Sequence, residues 1–284
     1  MLTEPPLPID YLVIGHLACD LTPDGNQLGG TVAYSALTAR ALGQRAGIIT
    51  AVGEEVSLAP ISHLPRAGII VRQSTTFENR YTPAGRIQTL HHHAPILHPD
   101  LIPAPWRATP IVHLGPIAHE IDPILLDCFP ASFIGLTPQG WLRQWDESGH
   151  VTPAAWPAYA EILSKAHAVV LGIEDVAGDE TQIEEMASVC PVFVVTEGAW
   201  GARLFVKGTA TRVTTLPVYE VDATGAGDIF AAAFFIHLHR TNDPFESARF
   251  ATHLAAHSVT RPGLAGIPTP EEILAYQTSE VSPT

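Results

Sequence analysis

The chain has 284 residues, enough for one large α/β domain or two small ones, and 46 % of them are hydrophobic, which supports a sizeable core and argues against disorder. A formal net charge of −14 argues against a nucleic-acid partner, so an anionic ligand must be held by helix N-termini, backbone amides or single arginines. No apolar stretch approaches the roughly 18 residues of a membrane span. The opening MLTEPPLPID carries acids and prolines where a secretory leader carries basic and apolar residues, so no membrane and a cytoplasmic location are expected. Cys19, Cys128 and Cys190 are widely spaced and odd in number, which suits buried small hydrophobes better than a disulfide framework or a metal site.

In chain order, the first predicted strand is Tyr11–Gly15, short, rich in branched residues and bounded by turns. An irregular stretch, Leu17–Gly30, leads to a helix over Thr31–Leu42. Strands follow at Gly47–Val52 and Gly68–Val71. Residues 72–93 alternate polar and apolar side chains around a Pro83–Gly85 turn, the pattern of a solvated hairpin. Further strands are predicted at Ile111–Leu114, Phe133–Leu136, Ala168–Leu171 and Val192–Thr196, with helices over Ala154–Ala166 and Glu180–Val189. Asp243-Pro244-Phe245-Glu246 has the form of a capping box opening a helix through Ser258, and the tail after Ser279 is expected to fray. Alternating strands and helices imply a mainly parallel sheet covered on both sides, and the two irregular excursions suit a small β flap at its rim.

One stretch carries chemistry. In VDATGAGDIF (221–230), Gly225, Ala226 and Gly227 precede Asp228, and an apolar helix, with Phe230 and Phe234 on one face, follows. The first amides of a helix lack intrahelical partners and carry the positive end of its dipole, and a loop without bulky side chains lets a phosphate reach them. A carboxylate beside a phosphoryl group repels it, so its use there is as a base for an attacking hydroxyl. On spacing alone, a helix capped by an acid after a glycine turn accounts for the same residues. The sequence contains neither a Walker A loop nor a GxGxxG fingerprint.

The stretch resembles the C-terminal signature of the PfkB, or ribokinase-like, carbohydrate kinases, DTxGAGD, with Asp222, Thr224, Gly225, Ala226, Gly227 and Asp228 matched and Ala223 in place of the usual threonine. The resemblance spans nearly the whole chain. LGGTVAYSALTARALG (28–43) is similar to the family's first signature, with Gly29 and Gly30 opening the helix. Asp20 falls where members place an acid on the sugar hydroxyls, whereas Tyr34 replaces a substrate-binding asparagine of many members, which counts against ribose- and fructose-type substrates. VVTEGAWGARLFV (194–206) resembles the element beside the nucleotide, matched by Thr196, Gly198 and Gly201; a tight turn between strands explains the same glycines. The NxxE motif that orients magnesium is altered here to Gly172-Ile173-Glu174-Asp175, two acids that would still suit hydrated Mg2+. HSVTRPGLAGIPTPEEI (257–273) resembles the C-terminal stretch that borders adenine, so His257 and Ser258 are nucleotide candidates, and in some members a monovalent cation such as K+ binds nearby.

The resemblance implies an α/β fold, a three-layer ribokinase-like sandwich with a mainly parallel central sheet, formed by residues 1–284 as a single domain, with a small β lid from about 16–30 and 72–93. It implies ATP-dependent phosphorylation of a hydroxyl on a small sugar, polyol such as inositol, or nucleoside. In that reading Asp228 is the base, the 225–227 loop is the anion hole, and Arg143, which follows a predicted strand, neutralises transition-state charge. A surface ion pair accounts equally for Arg143. The lid segment, with Asn79 and Arg86 as polar probes beside Tyr81, resembles members related to plant inositol kinases. A non-catalytic relative stays open because of the altered NxxE, and a dehydrogenase is disfavoured for want of a dinucleotide fingerprint. A monomer or a lid-mediated homodimer is compatible with the sequence. His91-His92-His93 alternates along a predicted strand and suits a solvated edge rather than a metal site. His253 and His257 lack the glutamate of HExxH, which excludes a zinc hydrolase of that kind.

Overall fold

The computed structural model describes residues 7–23, 25–82 and 85–279. From the N-terminus come β1 (Tyr11–Ile14), β2 (Ala18–Thr22), β3 (Gly25–Gly29), α1 (Thr31–Ala41), β4 (Ala46–Val52), β5 (Arg66–Ile70), β6 (Thr75–Thr82) and β7 (Gly85–His92). The middle of the chain supplies β8 (Ile111–Leu114), β9 (Phe133–Leu136), β10 (Arg143–Trp145), β11 (Val151–Pro153), α2 (Tyr159–Ser164), β12 (Ala168–Gly172) and α3 (Glu180–Val189). The remainder is β13 (Val192–Thr196), β14 (Ala202–Val206), β15 (Thr209–Val213), α4 (Ala226–Thr241), α5 (Pro244–Ser258) and α6 (Pro270–Ser279).

A nine-stranded sheet runs in the order β15-β14-β13-β12-β9-β8-β1-β4-β5. The pairs from β13 to β5 are parallel, and β14 and β15 add an antiparallel edge. Strand β1 shows why these segments read as unbroken apolar runs. Tyr11 and Val13 point into the core shared with α1 and α4, while Leu12 and Ile14 point into the opposite core with α3, so all four are buried. Helices on both faces complete three layers.

The two excursions form a separate four-stranded sheet, β3-β2-β6-β7. Ala18, Phe77 and Leu90 pack it onto Ile117 and Ala118, a third small core beneath the flap. Pro83 and Ala84 of the predicted turn, and the tail from residue 280, lie outside the described residues. Cys19 and Cys190 are buried and Cys128 is half-buried, all as free thiols.

Two elements depart from the sequence pattern. The helix expected over Ala154–Ala166 is α-helical only over Tyr159–Ser164. Val151–Pro153 pairs instead with Arg143–Trp145, and Pro157 disfavours helical geometry at Trp156, so the helix starts after it. Helix α6 was not expected from its apolar pattern. Its start is a reciprocal capping box, in which Thr269 N–H donates to Glu272 Oε2 at 2.9 Å and Glu272 N–H donates to Thr269 Oγ1 at 3.3 Å, with Pro270 next.

Candidate active site

The C-terminal ends of β12 and β13, the start of α4 and the inner face of the flap enclose a cleft of about 630 Å3. Glycine geometry fixes its floor. Gly225 caps α4 in the left-handed region at φ 78°, and a Cβ there would overlap the Tyr34 ring. Only glycine meets both demands. A Cβ on Gly227 would meet nothing within 4 Å, so the loop opens onto the cleft rather than onto protein.

Asp228 stands in the first turn of α4, half-buried, and lines the cleft. Burial raises its carboxyl from 3.8 to about 6; a hydrogen bond from the Thr31 side chain and the charge of Arg143 pull down, while Asp175 and Asp20 push up. Thr31 is the first residue of α1, presented by the turn at Gly30, whose φ of 88° and closeness to the His16 carbonyl exclude a side chain. An acid that titrates near neutrality beside a helix N-terminus is equipped to accept a proton from a hydroxyl.

Arg143 is 9 % exposed and lines the cleft, which rules out the surface ion pair. Its guanidinium lies 5.6 Å from the Phe77 ring centroid and its Nη1 donates to the Ile117 carbonyl at 3.0 Å. Ile117 is held in turn by Glu120, a fully buried carboxylate accepting from the amides of His16 (3.0 Å), Ile117 (2.9 Å) and Ala118 (2.7 Å). Sequence reasoning missed Glu120. An acid just after a Gly-Pro turn at the end of an apolar strand was its only trace.

Asp20, Gly30, Tyr34 and Asn79 all line the cleft. Gly29 has a different task, because the Asp20 carboxylate occupies the space where its Cβ would stand. The side chain of Arg86 lies outside the described residues. Glu174 and Asp175 also line the cleft, and Asp175 is fixed at both oxygens, accepting from Gly172 N–H and Gln139 Nε2, each at 2.9 Å. Among the described residues the lining holds six acids, Asp20, Glu174, Asp175, Glu197, Glu220 and Asp228, and one basic side chain, Arg143. A polyphosphate entering such a field needs a cation with it.

Thr196 and Gly198 line the cleft, while Gly201, at φ 84° and tight against the Val213 carbonyl, shapes the turn into β14. Beyond Ile173 and Glu197 the cleft adjoins a recess of about 580 Å3 lined by Ala199, Trp200, Arg212, Thr214 and Thr215. Trp200 is 77 % exposed there. His257 and Ser258 lie outside both linings. Ser258 is buried with its hydroxyl donating to the Ala255 carbonyl of its own helix, and the His257 ring stands edge-on to His253.

Thr224 lines the cleft, but Asp222 works behind it. Its carboxylate accepts from Thr224 N–H at 2.9 Å and Gly263 N–H at 2.7 Å, and these bonds outweigh the burial that would raise its pKa and hold it below the usual range. The Val259 carbonyl accepts from the amides of Val221 (2.7 Å) and Asp222 (3.1 Å). Arg261 donates to the carbonyls of Ala265 (2.7 Å) and Gly266 (3.4 Å) and pairs with Glu272 at 2.5 Å. The oxygens of Asp222, Val259, Ala265 and Gly266 between these loops thus each accept a hydrogen bond, and the Arg261 guanidinium brings a positive charge there.

Comparison with known proteins places this geometry in context. Residues 151–271 match the model of the pfkB family carbohydrate kinases. The chain is 26 % identical over 290 residues to an inositol 3-kinase of Oryza sativa subsp. japonica, covering 92 % of this chain and 70 % of the relative. It is 36 % identical over 96 residues to a ribokinase of Bacillus subtilis (strain 168), a match spanning 33 % of each chain. A solved pyrophosphate-dependent kinase in the ribokinase family, complexed with a pyrophosphate analogue and myo-inositol, superposes with a TM-score of 0.77 at 20 % identity over 94 % of this chain and 99 % of the other. The fold is that of the ribokinase family. Among the described residues no helix is long and apolar enough to cross a membrane.

Proposed function

We propose that this chain, whose residues 151–271 match the pfkB family carbohydrate kinases, transfers a phosphoryl group to a hydroxyl of a small polyhydroxylated acceptor, a sugar or a polyol such as inositol. The observation that carries this is Asp228. A carboxyl raised to about 6 stands in the first turn of α4, directly after an open glycine loop, on the floor of a cleft whose roof bears Asp20 and Asn79.

The acceptor hydroxyl lies between Asp20 above and Asp228 below. Asp228 takes its proton as the oxygen attacks phosphorus, and the amide of Gly227 at the start of α4 faces the charge that develops on the transferred group, while the Ala226 amide closes the turn onto the Ala223 carbonyl at 3.2 Å. Arg143 adds a fixed positive charge inside the cleft. Glu174 and Asp175 would hold hydrated Mg2+, whose charge, when it is bound, offsets that of the donor phosphates. The flap, seated on Ile117 and Ala118 beside the cleft, shields the acceptor from water that would compete with it. The flap and the three-layer body together constitute a single domain over residues 1–284. Monovalent-cation dependence is not part of this reading, because Arg261 occupies the loop.

ATP is the proposed donor, supported by the recess beside Trp200, whose volume suits the nucleoside part of a nucleotide. Pyrophosphate is the second reading, prompted by the neighbour that uses it. It would fill the glycine-loop end of the cleft and leave the recess empty. The test is product formation from a panel of polyols, sugars and nucleosides with Mg2+ and either ATP or pyrophosphate. Transfer to a polyol or sugar is expected. Binding of donor and acceptor without transfer in any combination would leave a non-catalytic relative and overturn the proposal.

A further inference from the structure

The core beneath the cleft holds a set of polar groups that no sequence motif marks. Tyr11 of β1, Ser35 of α1 and His113 of β8 are all fully buried. The parallel register pairs Tyr11 with Ile111 and Val13 with His113, so Tyr11 and His113 are diagonal neighbours on the face that carries α1 and α4. Phe235 of α4 stands edge-on to the imidazole, with ring centroids 5.0 Å apart. Polar groups in such a place cost free energy unless each has a partner.

The partners form one line. Thr137 Oγ1, at the cleft lining, lies 2.9 Å from His113 Nε2, and Tyr11 Oη lies 2.8 Å from His113 Nδ1. The Ser35 side chain is hydrogen-bonded to Tyr11 in turn, and Ser35 Oγ donates to the Asp228 carbonyl at 3.3 Å. The end of the line fixes the direction of every bond in it. A carbonyl only accepts, so the Ser35 proton is committed there and Ser35 Oγ accepts from the Tyr11 hydroxyl. Tyr11 Oη then accepts from His113 Nδ1–H, and His113 Nε2 accepts from the Thr137 hydroxyl. That arrangement needs a neutral imidazole, and complete burial lowers the pKa of His113 from 6.5 to about 3.

We infer that the Thr137–His113–Tyr11–Ser35 line is a positioning network, anchoring the first turn of α4 to the central sheet so that Asp228 keeps its place on the cleft floor. This rests on the kinase reading for the role of Asp228 and adds the residues that hold it. The anchor acts from below because the approach gives no support from above: a Cβ on Gly227 would meet nothing within 4 Å. Apolar packing resists separation of α4 from the sheet, whereas a fully satisfied polar network also specifies one arrangement of the two. A displacement of about 1 Å at a reacting group can cost 10²-fold in rate. Tyr11, Ser35 and His113 are positioning residues, since none of them lines the cleft.

The experiment compares the wild type, Tyr11→Phe, Ser35→Ala and the double change Tyr11→Phe with His113→Leu. The first readout is titration of the Asp228 carboxyl by carbon-13 NMR, its signal identified by its loss in Asp228→Asn, which needs no turnover. Single-turnover transfer to myo-inositol, ribose or fructose from ATP or pyrophosphate, donor affinity and unfolding temperature complete the set. Tyr11→Phe and Ser35→Ala free the first turn of α4 to move outward into water, so the carboxyl should titrate below about 6, toward 3.8. Transfer should fall by about tenfold, the scale of one lost hydrogen bond, with donor affinity unchanged. Tyr11→Phe also leaves a buried imidazole unpaired and should unfold at a lower temperature. The double change removes both groups and should recover much of that temperature, while its titration and its rate stay those of Tyr11→Phe. A rate that recovers with stability would make the line a feature of the core alone and overturn the inference. Variants whose Asp228 titrates as in the wild type overturn it too, whatever their rates. A wild type that transfers to no acceptor from either donor overturns the kinase reading, and the titration by itself then decides whether the line anchors Asp228.

Discussion

Replacing Asp228 by Asn removes the carboxylate placed to take the acceptor's proton while keeping the size of the side chain and an oxygen for the Thr31 hydroxyl. Two consequences follow from burial. In the folded protein the carboxyl is raised from 3.8 to about 6, a difference worth about 3 kcal/mol, an upper bound because the side chain keeps partial access to the cleft. Between those two values the folded state holds a proton that the unfolded chain has released. Stability contributed by the protonated group is therefore complete below pH 3.8, falls through the window, and is lost above about 6. Asn carries no such penalty, so the variant should be more stable than the wild type above pH 6, by up to about 3 kcal/mol, and the gap should close toward pH 4. Denaturant unfolding of both proteins across that range measures it. Single-turnover phosphoryl transfer should fall by about 10²–10⁴-fold in the variant. Wild-type transfer should rise with pH through an apparent pKa near 6 and then level off. A stability gap that does not change with pH, or near-normal transfer by the variant, would refute the reasoning.

The paired change Glu174→Gln and Asp175→Asn should raise the Mg2+ concentration for half-maximal rate and leave acceptor binding unchanged; an unaltered magnesium dependence would reduce these residues to a loop cap. Gly225→Ala should destabilise the protein by about 2–4 kcal/mol, summing a left-handed backbone cost and overpacking against Tyr34, and the added change Tyr34→Ala should relieve part of it in a double-mutant cycle. Exchange of K+ for tetramethylammonium at constant ionic strength should leave wild-type donor affinity and unfolding temperature unchanged, whereas Arg261→Met, which removes the guanidinium from the Ala265 and Gly266 carbonyls, should lower both. A wild type whose donor affinity follows K+ would refute the assignment of that loop to Arg261.

Local pattern made much of this protein legible. Buried strands announce themselves by unbroken branched runs because both their faces are covered, and Tyr11–Ile14 and Val192–Thr196 were read correctly for that reason. Helix starts are written in a few adjacent residues, so the Asp243 cap, whose carboxylate accepts from Glu246 N–H although Glu246 does not bond back to the Asp243 amide, and the glycine turn ahead of Asp228 were also readable, and the missed Thr269 box shows the same signal unused. Such features depend on neighbours three or four positions away, which the sequence lists side by side. What the site does chemically depends on residues far apart in the chain. Asp228 is raised to about 6 because water is excluded around it and Asp175 and Asp20 arrive from two other segments, against the downward pull of Thr31 and Arg143 from two more. Arg143 is a cleft cation rather than a surface ion pair because Glu120 fixes the loop whose carbonyl it holds. Asn79 is held by Gln88 across a hairpin, and Arg261 is fixed between the loops because two carbonyls and Glu272 fold around it. Desolvation and field strength are properties of what surrounds a group in space, so the sequence supplied the chemical groups and the tertiary packing decided their charge, orientation and partners.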